Sequence, residues 1–297
     1  MDNFKCGFIA VVGKPNVGKS SLVNALVGEK VAIVSPKPQT TRNKIFGILN
    51  GDDYQMIFVD TPGEIHGQSK LAKFMAKSIE SGLNGVDAVM VVLDATKVNQ
   101  ADYAIIERYQ NSQLPVFLVI NKIDMASYEQ VYPVLSKLNE YKFVKEFITT
   151  SALKGKNVEE LKQKLLSCLP NGVPLYDQDI YTDRNLRFMA GEIIREKVLL
   201  FVQDEIPHFT ATEITAYNET KGLVKISADI ICEKESHKEI IIGKRGAMIK
   251  QIGISARTEI EKLTDKKVYL DLFVKVREGW QADSKTLAEL GYNVKDL

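Results

Sequence analysis

The strongest constraint on the fold of this chain is a glycine-rich octapeptide near its start. The octapeptide, Gly13-Lys14-Pro15-Asn16-Val17-Gly18-Lys19-Ser20, has the spacing of a phosphate-binding loop. An apolar run from Phe8 to Val12 precedes it, and a helical pattern follows it and ends at Gly28. Glycines let the backbone approach an anion closely, and the first N–H groups of a helix point towards that anion. This strand–loop–helix order predicts a site for nucleotide phosphates.

The side chains at the end of this loop have separate expected roles. Lys19 is expected to reach the β- and γ-phosphates, and the Ser20 hydroxyl is expected to bind Mg²⁺. Ser21, at the start of the helix, is counted among the expected nucleotide contacts. The phosphate loop alone does not say which base the nucleotide carries.

A second motif follows one predicted hairpin later. Asp60-Thr61-Pro62-Gly63 has the pattern D-x-x-G and comes directly after an apolar strand. Asp60 is expected to hold Mg²⁺ through water, and the Gly63 N–H is expected to contact a γ-phosphate. The motif is a weak signal alone, but it is a strong one after a phosphate loop and an antiparallel hairpin.

A third motif indicates the base. Asn121-Lys122-Ile123-Asp124 has the pattern N-K-x-D at the end of another apolar strand. The Asp124 carboxylate is predicted to accept hydrogen bonds from N1–H and the 2-amino group of guanine, a donor pair that adenine lacks. Asn121 and Lys122 are expected to fix the loop. By position only, Ser151-Ala152-Leu153 is expected to complete the base pocket through a backbone N–H.

The arrangement of apolar segments predicts two domains. Strands and helices alternate up to residue 170, which predicts a mostly parallel α/β sheet with one antiparallel edge. At 297 residues the chain is long enough for a second domain. The break at Pro170–Pro174 predicts a nucleotide-binding domain at 1–170, a linker at 171–183, a second domain at 184–280 and a weakly ordered tail at 281–297.

The second domain contains a basic loop between two helical stretches. Gly243-Lys244-Arg245-Gly246 has the pattern G-x-x-G, and Lys250 lies on the helix after it. Glycines permit close approach of a nucleic-acid backbone, and the two central cations neutralise its phosphates. Residues 238–277 contain ten basic and five acidic side chains, a local excess of five. An ordinary turn and a solvated charged face are alternative interpretations of these features.

Composition excludes several other classes of protein. The net charge of +1 gives no global attraction to nucleic acid or membranes, so any RNA-binding surface must be local. The three cysteines lie far apart, which argues against a zinc site or a disulfide framework. No apolar run approaches the length of a membrane-spanning helix, and the start does not have the pattern of a signal peptide. A cytoplasmic protein is therefore expected.

Together the ordered motifs resemble those of translation-factor-class GTPases. With the G-x-x-G loop the whole chain resembles the Era family of ribosome-assembly GTPases, and Gln39-Thr40-Thr41-Arg42 is similar to the first switch of that family. The resemblance covers nearly the whole chain. It implies a P-loop GTPase domain followed by an α+β type II KH domain. It also implies GTP hydrolysis, binding near the 3′ end of small-subunit ribosomal RNA, and a role in assembling the small ribosomal subunit.

The resemblance also implies roles for single residues. Thr41, or less favourably Thr40, is expected to bind Mg²⁺ in the GTP state and to act in catalysis with Lys19 and Gly63. Asn16 is a candidate for holding a catalytic potassium ion. Glu64 occupies the position where Ras-like GTPases carry glutamine and the Era family usually has an apolar residue, so it departs from both and is expected to point away from the γ-phosphate.

Further expectations concern the nucleotide-dependent segments, the oligomeric state and the cellular location. The switch segments, residues 35–43 and 60–70, are expected to change order with the nucleotide, and residues 35–42 to form an exposed, mobile loop. A monomer is expected, with peripheral contact at the inner face of the cell membrane as a further candidate. Two alternatives to the RNA-binding GTPase stay open: a P-loop ATPase or kinase, and a P-loop switch whose second domain binds a protein instead of RNA.

Overall fold

The computed structural model describes residues 4–64 and 67–296, which form two compact units. The first unit consists of residues 4–32, 41–64 and 75–183. The second unit consists of residues 33–40, 67–74 and 184–296. Two short segments from the N-terminal half of the chain are therefore grouped with the C-terminal unit. Among the described residues, no helix is both long enough and apolar enough to cross a membrane.

A six-stranded, mostly parallel sheet forms the first unit. Its strands are β1 (Lys5–Val12), β2 (Ile45–Asn50), β3 (Tyr54–Asp60), β4 (Ala88–Asp94), β5 (Val116–Asn121) and β6 (Val144–Thr149). They are arranged in the order β2-β3-β1-β4-β5-β6, and only the β2–β3 pair is antiparallel. The parallel sheet and the antiparallel edge predicted from the sequence are both confirmed.

Helices connect these strands. In the N-terminal half they are α1 (Lys19–Val27), α2 (Lys70–Ser81), α3 (Gln100–Glu107), α4 (Tyr128–Leu138) and α5 (Val158–Leu166). Strands β4 and β5 are buried along their whole length, as expected for apolar strands in the middle of a covered sheet. Because parallel strands end at the same edge of a sheet, the loops after β1, β3, β5 and β6 come together there.

The predicted linker is bonded to the edge of the first sheet. The Asn50 side chain donates to the carbonyls of Gln178 and Ile180 at 3.1 and 2.9 Å. The Ile48 N–H donates to the Tyr181 carbonyl at 2.9 Å. The last of these bonds satisfies a backbone N–H of β2 that would otherwise lie at an open sheet edge. The segment is therefore held on the first unit, while the domain boundaries themselves stay predictions.

The second unit combines helices with a three-stranded sheet. Its elements are α6 (Leu186–Phe201), β7 (Thr210–Glu219), β8 (Leu223–Cys232), α7 (Glu235–Ile242), α8 (Ala247–Thr264), β9 (Lys267–Val276) and α9 (Ser284–Glu289). Strand β8 is antiparallel to β7 and parallel to β9. The alternation of β8 predicted that Val224, Ile226, Ala228 and Ile230 share one face, and all four lie in the core.

The prediction of a weakly ordered tail was wrong for the described residues. Helix α9 is capped by Asp283, whose carboxylate accepts from the Thr286 N–H at 2.7 Å. Tyr292 is buried and stacks on Trp280, with ring centroids 6.4 Å apart. The tail is ordered because it covers the indole of Trp280, a contact that a local sequence pattern does not reveal.

The prediction of an exposed loop at 35–42 was wrong for its last two residues, Thr41 and Arg42, which are buried. The Arg42 side chain is fully buried. Within the second unit, the buried Arg195 of α6 donates to the Thr40 carbonyl. Prolines and polar residues indicated a loop correctly, but the partners of this loop are distant in sequence. Residues 65 and 66 of the second predicted switch segment lie outside the described residues.

Candidate functional site

The phosphate loop joins β1 to α1 and has the backbone conformation that its glycines permit. Gly13 and Gly18 have φ values of 144° and 96°. A Cβ on Gly13 would lie 2.4 Å from the Val92 carbonyl oxygen, and one on Gly18 would lie 2.3 Å from Asn121 Nδ2. Neither position has room for a side chain, so both glycines are needed to seat the loop against β4 and β5.

Lys19 lies inside this loop. Its side chain is 6% exposed, and its ammonium donates to the carbonyls of Gly13 and Lys14, both at 3.0 Å. Burial lowers the pKa of Lys19 to about 8, and the charges of Asp60 and Glu64 act against that shift. The ammonium is thus held at the centre of the predicted phosphate site.

A cluster of side-chain oxygens lies beside the loop. Ser20 Oγ donates to Asp60 Oδ2 at 2.6 Å and lies 2.8 Å from Thr41 Oγ1. Asp60 is fully buried, its Oδ1 has no partner in the part of the chain that the structure describes, and burial raises its pKa to about 6. Thr40 instead donates to the Lys37 carbonyl at 2.6 Å. A buried carboxylate oxygen beside two hydroxyls is a donor set that suits Mg²⁺.

The second motif packs directly against the phosphate loop. A Cβ on Gly63 would lie 2.7 Å from both the backbone nitrogen and Cα of Pro15. The Thr61 hydroxyl donates to the Val11 carbonyl at 2.8 Å, which fixes the start of this segment to β1. The lack of a side chain at Gly63 therefore lets its backbone reach the edge of the predicted phosphate site.

Asn121 links three of the predicted segments. Its Nδ2 donates to the Val17 carbonyl in the phosphate loop at 3.1 Å. Its Oδ1 accepts from the Ala152 N–H at 3.0 Å. Ser151, which directly precedes Ala152, is fully buried. One buried amide thus holds the phosphate loop and both predicted base-binding loops together.

The next residue of the same motif makes two further bonds across the site. Lys122 Nζ donates to the carboxylate of Asp94 at 2.7 Å and to the Asn16 carbonyl at 2.5 Å. The Asp124 carboxylate is exposed, and Leu153 is 78% exposed. The motif therefore has an inner part that braces the loops and an outer part that faces solvent.

Two acidic residues of this site were missed in the sequence analysis. Asp94 ends β4 and binds Lys122, and Asp102 of α3 forms an ion pair with Lys14 at 2.5 Å. Both carboxylates are almost completely buried. The position of Asp94 at the end of an apolar strand was the only local signal, and Asp102 gave none. Ser21 lies in the first turn of α1.

The G-x-x-G loop in the second unit joins α7 to α8. Gly243, Arg245 and Gly246 all have positive φ values, of 72°, 54° and 76°. A Cβ on Gly243 would lie 2.7 Å from the Cβ of Met248, so this position requires glycine. The side chains of Lys244 and Arg245 are exposed. The loop is a tight turn that presents two cations to solvent.

A groove of about 340 Å³ runs between α8 and β9. Its lining combines apolar and basic side chains, namely Ile249, Lys250, Gly253, Ile254, Arg257, Val268, Tyr269, Leu270 and Leu272. Of these, only Lys250 was predicted from the sequence. The others were missed because the groove needs two elements that are separated along the chain.

Comparison with known families identifies the two halves of the chain. Residues 8–122 match the family model of 50S ribosome-binding GTPases, and residues 205–281 match that of KH domains. Together with the two sites, these matches define a P-loop GTPase joined to a KH domain.

The relatives of the chain give a narrower assignment. GTPase Era of Clostridium kluyveri is 47% identical over 97% of this chain and 99% of its own length. GTPase Era of Thermoanaerobacter sp. is 45% identical, with coverage of 98% and 97%. The chain belongs to the Era family of GTPases.

Solved structures agree with this assignment. An Era variant from Aquifex aeolicus bound to GDP·AlF4⁻ is 37% identical, with a TM-score of 0.93 over 98% of this chain and 100% of its own. Era in complex with MgGDPNP and nucleotides 1506–1542 of 16S ribosomal RNA has the same identity and TM-score, over 98% and 99% of the two chains.

Proposed function

We propose that this GTPase is a molecular switch that binds small-subunit ribosomal RNA near its 3′ end and assists assembly of the small ribosomal subunit. The observation that carries the proposal is the presence, in one chain, of a braced phosphate site and an open groove beside an exposed basic loop. The nucleotide and RNA bound in the Era complexes support both parts of it.

The nucleotide contacts follow from the site geometry. The phosphate-loop N–H groups and Lys19 bind the phosphates and stabilise the charge that develops when water attacks. Ser20, Thr41 and, through water, Asp60 would hold Mg²⁺, which neutralises charge on the β- and γ-phosphates when it is bound. The exposed carboxylate of Asp124 selects guanine. Ser151 to Leu153 close the other side of the base pocket.

A potassium ion is part of the proposal. Asn16 has a φ of 64°, at the outer turn of the phosphate loop, and its carbonyl is fixed by Lys122. We place K⁺ next to Asn16, where it would supply the positive charge that an arginine finger supplies in other GTPases.

The RNA contacts are assigned to the second unit. Gly243 to Gly246 clamp the RNA backbone, and the two central cations with Lys250 neutralise phosphates. The groove between α8 and β9 receives unpaired bases, because its floor is apolar and one wall is the exposed edge of a strand. Single-stranded RNA is therefore the proposed ligand.

The proposal also includes the state and location of the protein. We propose that it acts as a monomer in the cytoplasm; peripheral contact at the inner face of the cell membrane is a further candidate. The resemblance and composition motivate these points, and they stay predictions. Size measurement by light scattering and fractionation of cells would test them.

Binding measurements on the full chain test the central proposal. A labelled RNA with the 3′-terminal sequence of 16S ribosomal RNA is titrated beside a shuffled sequence, and bound labelled GDP is competed with GTP, GDP and ATP. GTP and GDP are expected to compete and ATP is not. The native RNA is expected to bind more tightly than the shuffled one. Guanine-specific binding without RNA binding would favour a second unit that binds a protein partner.

A further inference from the structure

Helix α3 carries an ion pair near each of its ends, and both pairs involve a motif of the nucleotide site. Asp102 near its start binds Lys14 of the phosphate loop at 2.5 Å. Arg108, the residue that ends the helix, binds the carboxylate of Glu64 at 2.5 Å. The Glu64 side chain is 22% exposed and that of Arg108 is 58% exposed. The second pair involves the residue that departs from the family pattern.

Glu64 lies close enough to the phosphate site for its charge to matter. Gly63, directly before it, packs against the backbone of Pro15 in the phosphate loop. Burial lowers the pKa of Lys19, and the carboxylate of Glu64 is one of the two anions whose charges oppose that shift. A negative charge that attracts the Lys19 ammonium repels the phosphates that this ammonium is proposed to bind.

GTP and GDP differ in their sensitivity to such a charge. The γ-phosphate lies nearest to the second motif and adds negative charge there, whereas GDP lacks this group. A free carboxylate at position 64 is therefore expected to weaken GTP binding more than GDP binding. The structure shows the carboxylate bonded to a guanidinium that compensates its charge.

We propose that Arg108 is a positioning residue for GTP: it holds the Glu64 carboxylate on α3 and neutralises it, so that Glu64 does not oppose the γ-phosphate. Arg108 and Glu64 thereby influence the ratio of the GTP affinity to the GDP affinity of this protein. The inference rests on the phosphate site proposed above, but it makes a separate prediction about the ratio of two affinities.

The size of the effect is limited by solvent. The pair is partly exposed, and exposed pairs contribute little to stability because water and salt screen them. The remaining repulsion acts over several ångströms. We expect loss of Arg108 to lower the ratio of GTP to GDP affinity by about three- to tenfold at low ionic strength, and by less at high ionic strength.

A double-mutant cycle tests the proposal. The variants are Arg108→Ala, Arg108→Lys, Glu64→Gln and the double variant Arg108→Ala/Glu64→Gln, with Lys142→Ala as a control that removes an exposed cation elsewhere on the first unit. Affinities for GDP and for a non-hydrolysable GTP analogue are measured by calorimetry in low and high salt, and melting curves monitor folding.

The cycle has defined outcomes. Arg108→Ala is expected to weaken binding of the GTP analogue selectively, and Arg108→Lys to retain most of the wild-type ratio of the two affinities. The double variant is expected to regain it, because the neutral amide that Glu64→Gln introduces does not repel the γ-phosphate. An unchanged ratio in Arg108→Ala, or an equal loss with and without Glu64→Gln, would overturn the proposal. If the wild type bound neither nucleotide, the phosphate-site assignment would fail instead.

Discussion

The nucleotide site and the proposed RNA-binding region differ in how far their charged groups are buried. In the nucleotide site the charged and polar groups are inside the protein: Lys19, Asp60 and Asn121 are 6%, 0% and 2% exposed. At the G-x-x-G loop beside the groove the basic groups, Lys244 and Arg245, are exposed to solvent. The phosphate-binding part of the first site is enclosed, whereas the second region is an open surface with a tight backbone turn.

This difference has an energetic meaning. Interactions inside the first site act in a low-dielectric environment and are only weakly screened by salt. The RNA contacts proposed at the basic loop and groove would release counterions, so their strength should depend on how many phosphates are neutralised and on the salt concentration. Removal of a group from one region is therefore expected to leave the other region unaffected, and the predictions below test this independence.

The largest expected effect is at the exposed G-x-x-G loop beside the groove. Replacing Lys244 and Arg245 with Asp puts negative charges where RNA phosphates are expected, and leaves both glycines to shape the turn. RNA affinity should fall by about a hundredfold or more. The slope of log affinity against log salt should flatten by about 0.7 for each single-strand phosphate that the protein no longer neutralises. Salt titrations of RNA binding measure both quantities.

A charge-matched control separates local contacts from net charge. Replacing the exposed lysines Lys221 and Lys285 with Asp changes the net charge of the chain equally. That control should keep most of the RNA affinity, and GTP hydrolysis should be nearly unchanged in both variants. A folded Lys244→Asp/Arg245→Asp variant with unaltered RNA affinity would show that the loop is only a turn between helices.

The next effect is in the enclosed site. Lys19→Ala removes a buried charge-assisted contact worth about 1.5–3 kcal/mol, so nucleotide affinity or turnover should fall by about ten- to a hundredfold. RNA affinity of the nucleotide-free chain should not change. Calorimetry with GDP and a hydrolysis assay measure the loss. An unchanged rate of GTP hydrolysis in Lys19→Ala would contradict the proposed role of the phosphate loop.

A substitution in the proposed base pocket tests which nucleotide base is selected, without removing any contact to the phosphates. Asp124→Asn should weaken GTP by about tenfold, because a charged acceptor for guanine is removed. It should favour xanthosine triphosphate, since the new amide N–H₂ can donate to the 2-oxo group of xanthine. Competition between the two nucleotides measures the preference, and a variant that still prefers GTP would contradict the assignment of Asp124.

Burying a charged carboxylate lowers the free energy of unfolding, so the burial of Asp60 predicts that the stability of the protein depends on pH. Burial raises the pKa of Asp60 to about 6 in the folded chain, above its ordinary value of 3.8. The folded state therefore binds this proton more tightly, and the contribution of Asp60 to the free energy of unfolding falls as pH rises from about 4 to 6. Above that range the ionised carboxylate destabilises the metal-free and nucleotide-free protein.

Asp60→Asn tests this cost. At pH 7.5 the free energy of unfolding of the apo variant should exceed that of the wild type by about 1–2 kcal/mol. The difference should shrink as pH falls to 5, where the wild-type carboxyl gains its proton. Urea unfolding at both pH values measures it. A variant that is less stable than the wild type at pH 7.5 would show that Asp60 contributes more through its bond with Ser20 than its burial costs.

The smallest expected effect concerns the cation. GTP hydrolysis should be several-fold faster in potassium than in sodium at equal ionic strength, and Asn16→Ala should erase that difference. Single-turnover rates in the two salts provide the measurement. Equal rates in the two salts for the wild type would contradict the potassium site but not the assignment as a GTPase.

The two regions also differed in how well they could be predicted from sequence. The loops proposed to bind the nucleotide could be predicted because each is a contiguous peptide whose residue types match one chemical task, as the carboxylate of Asp124 is proposed to match guanine. Of the residues that line the groove, only Lys250 was predicted, together with the neighbouring G-x-x-G loop. Arg257 and Tyr269 line it too, but nothing in their local sequence distinguishes them from surface residues of an ordinary helix and strand.

The sequence by itself determined the α/β sheet with its antiparallel edge, the phosphate loop and the choice of guanine, because periodicity and short motifs encode these features locally. Only the tertiary structure decided that Glu64 pairs with Arg108, that Arg42 is buried and that Tyr292 covers Trp280. These contacts join residues far apart in the chain. Their existence depends on how whole elements pack, and a local pattern of amino acids carries no information about that packing.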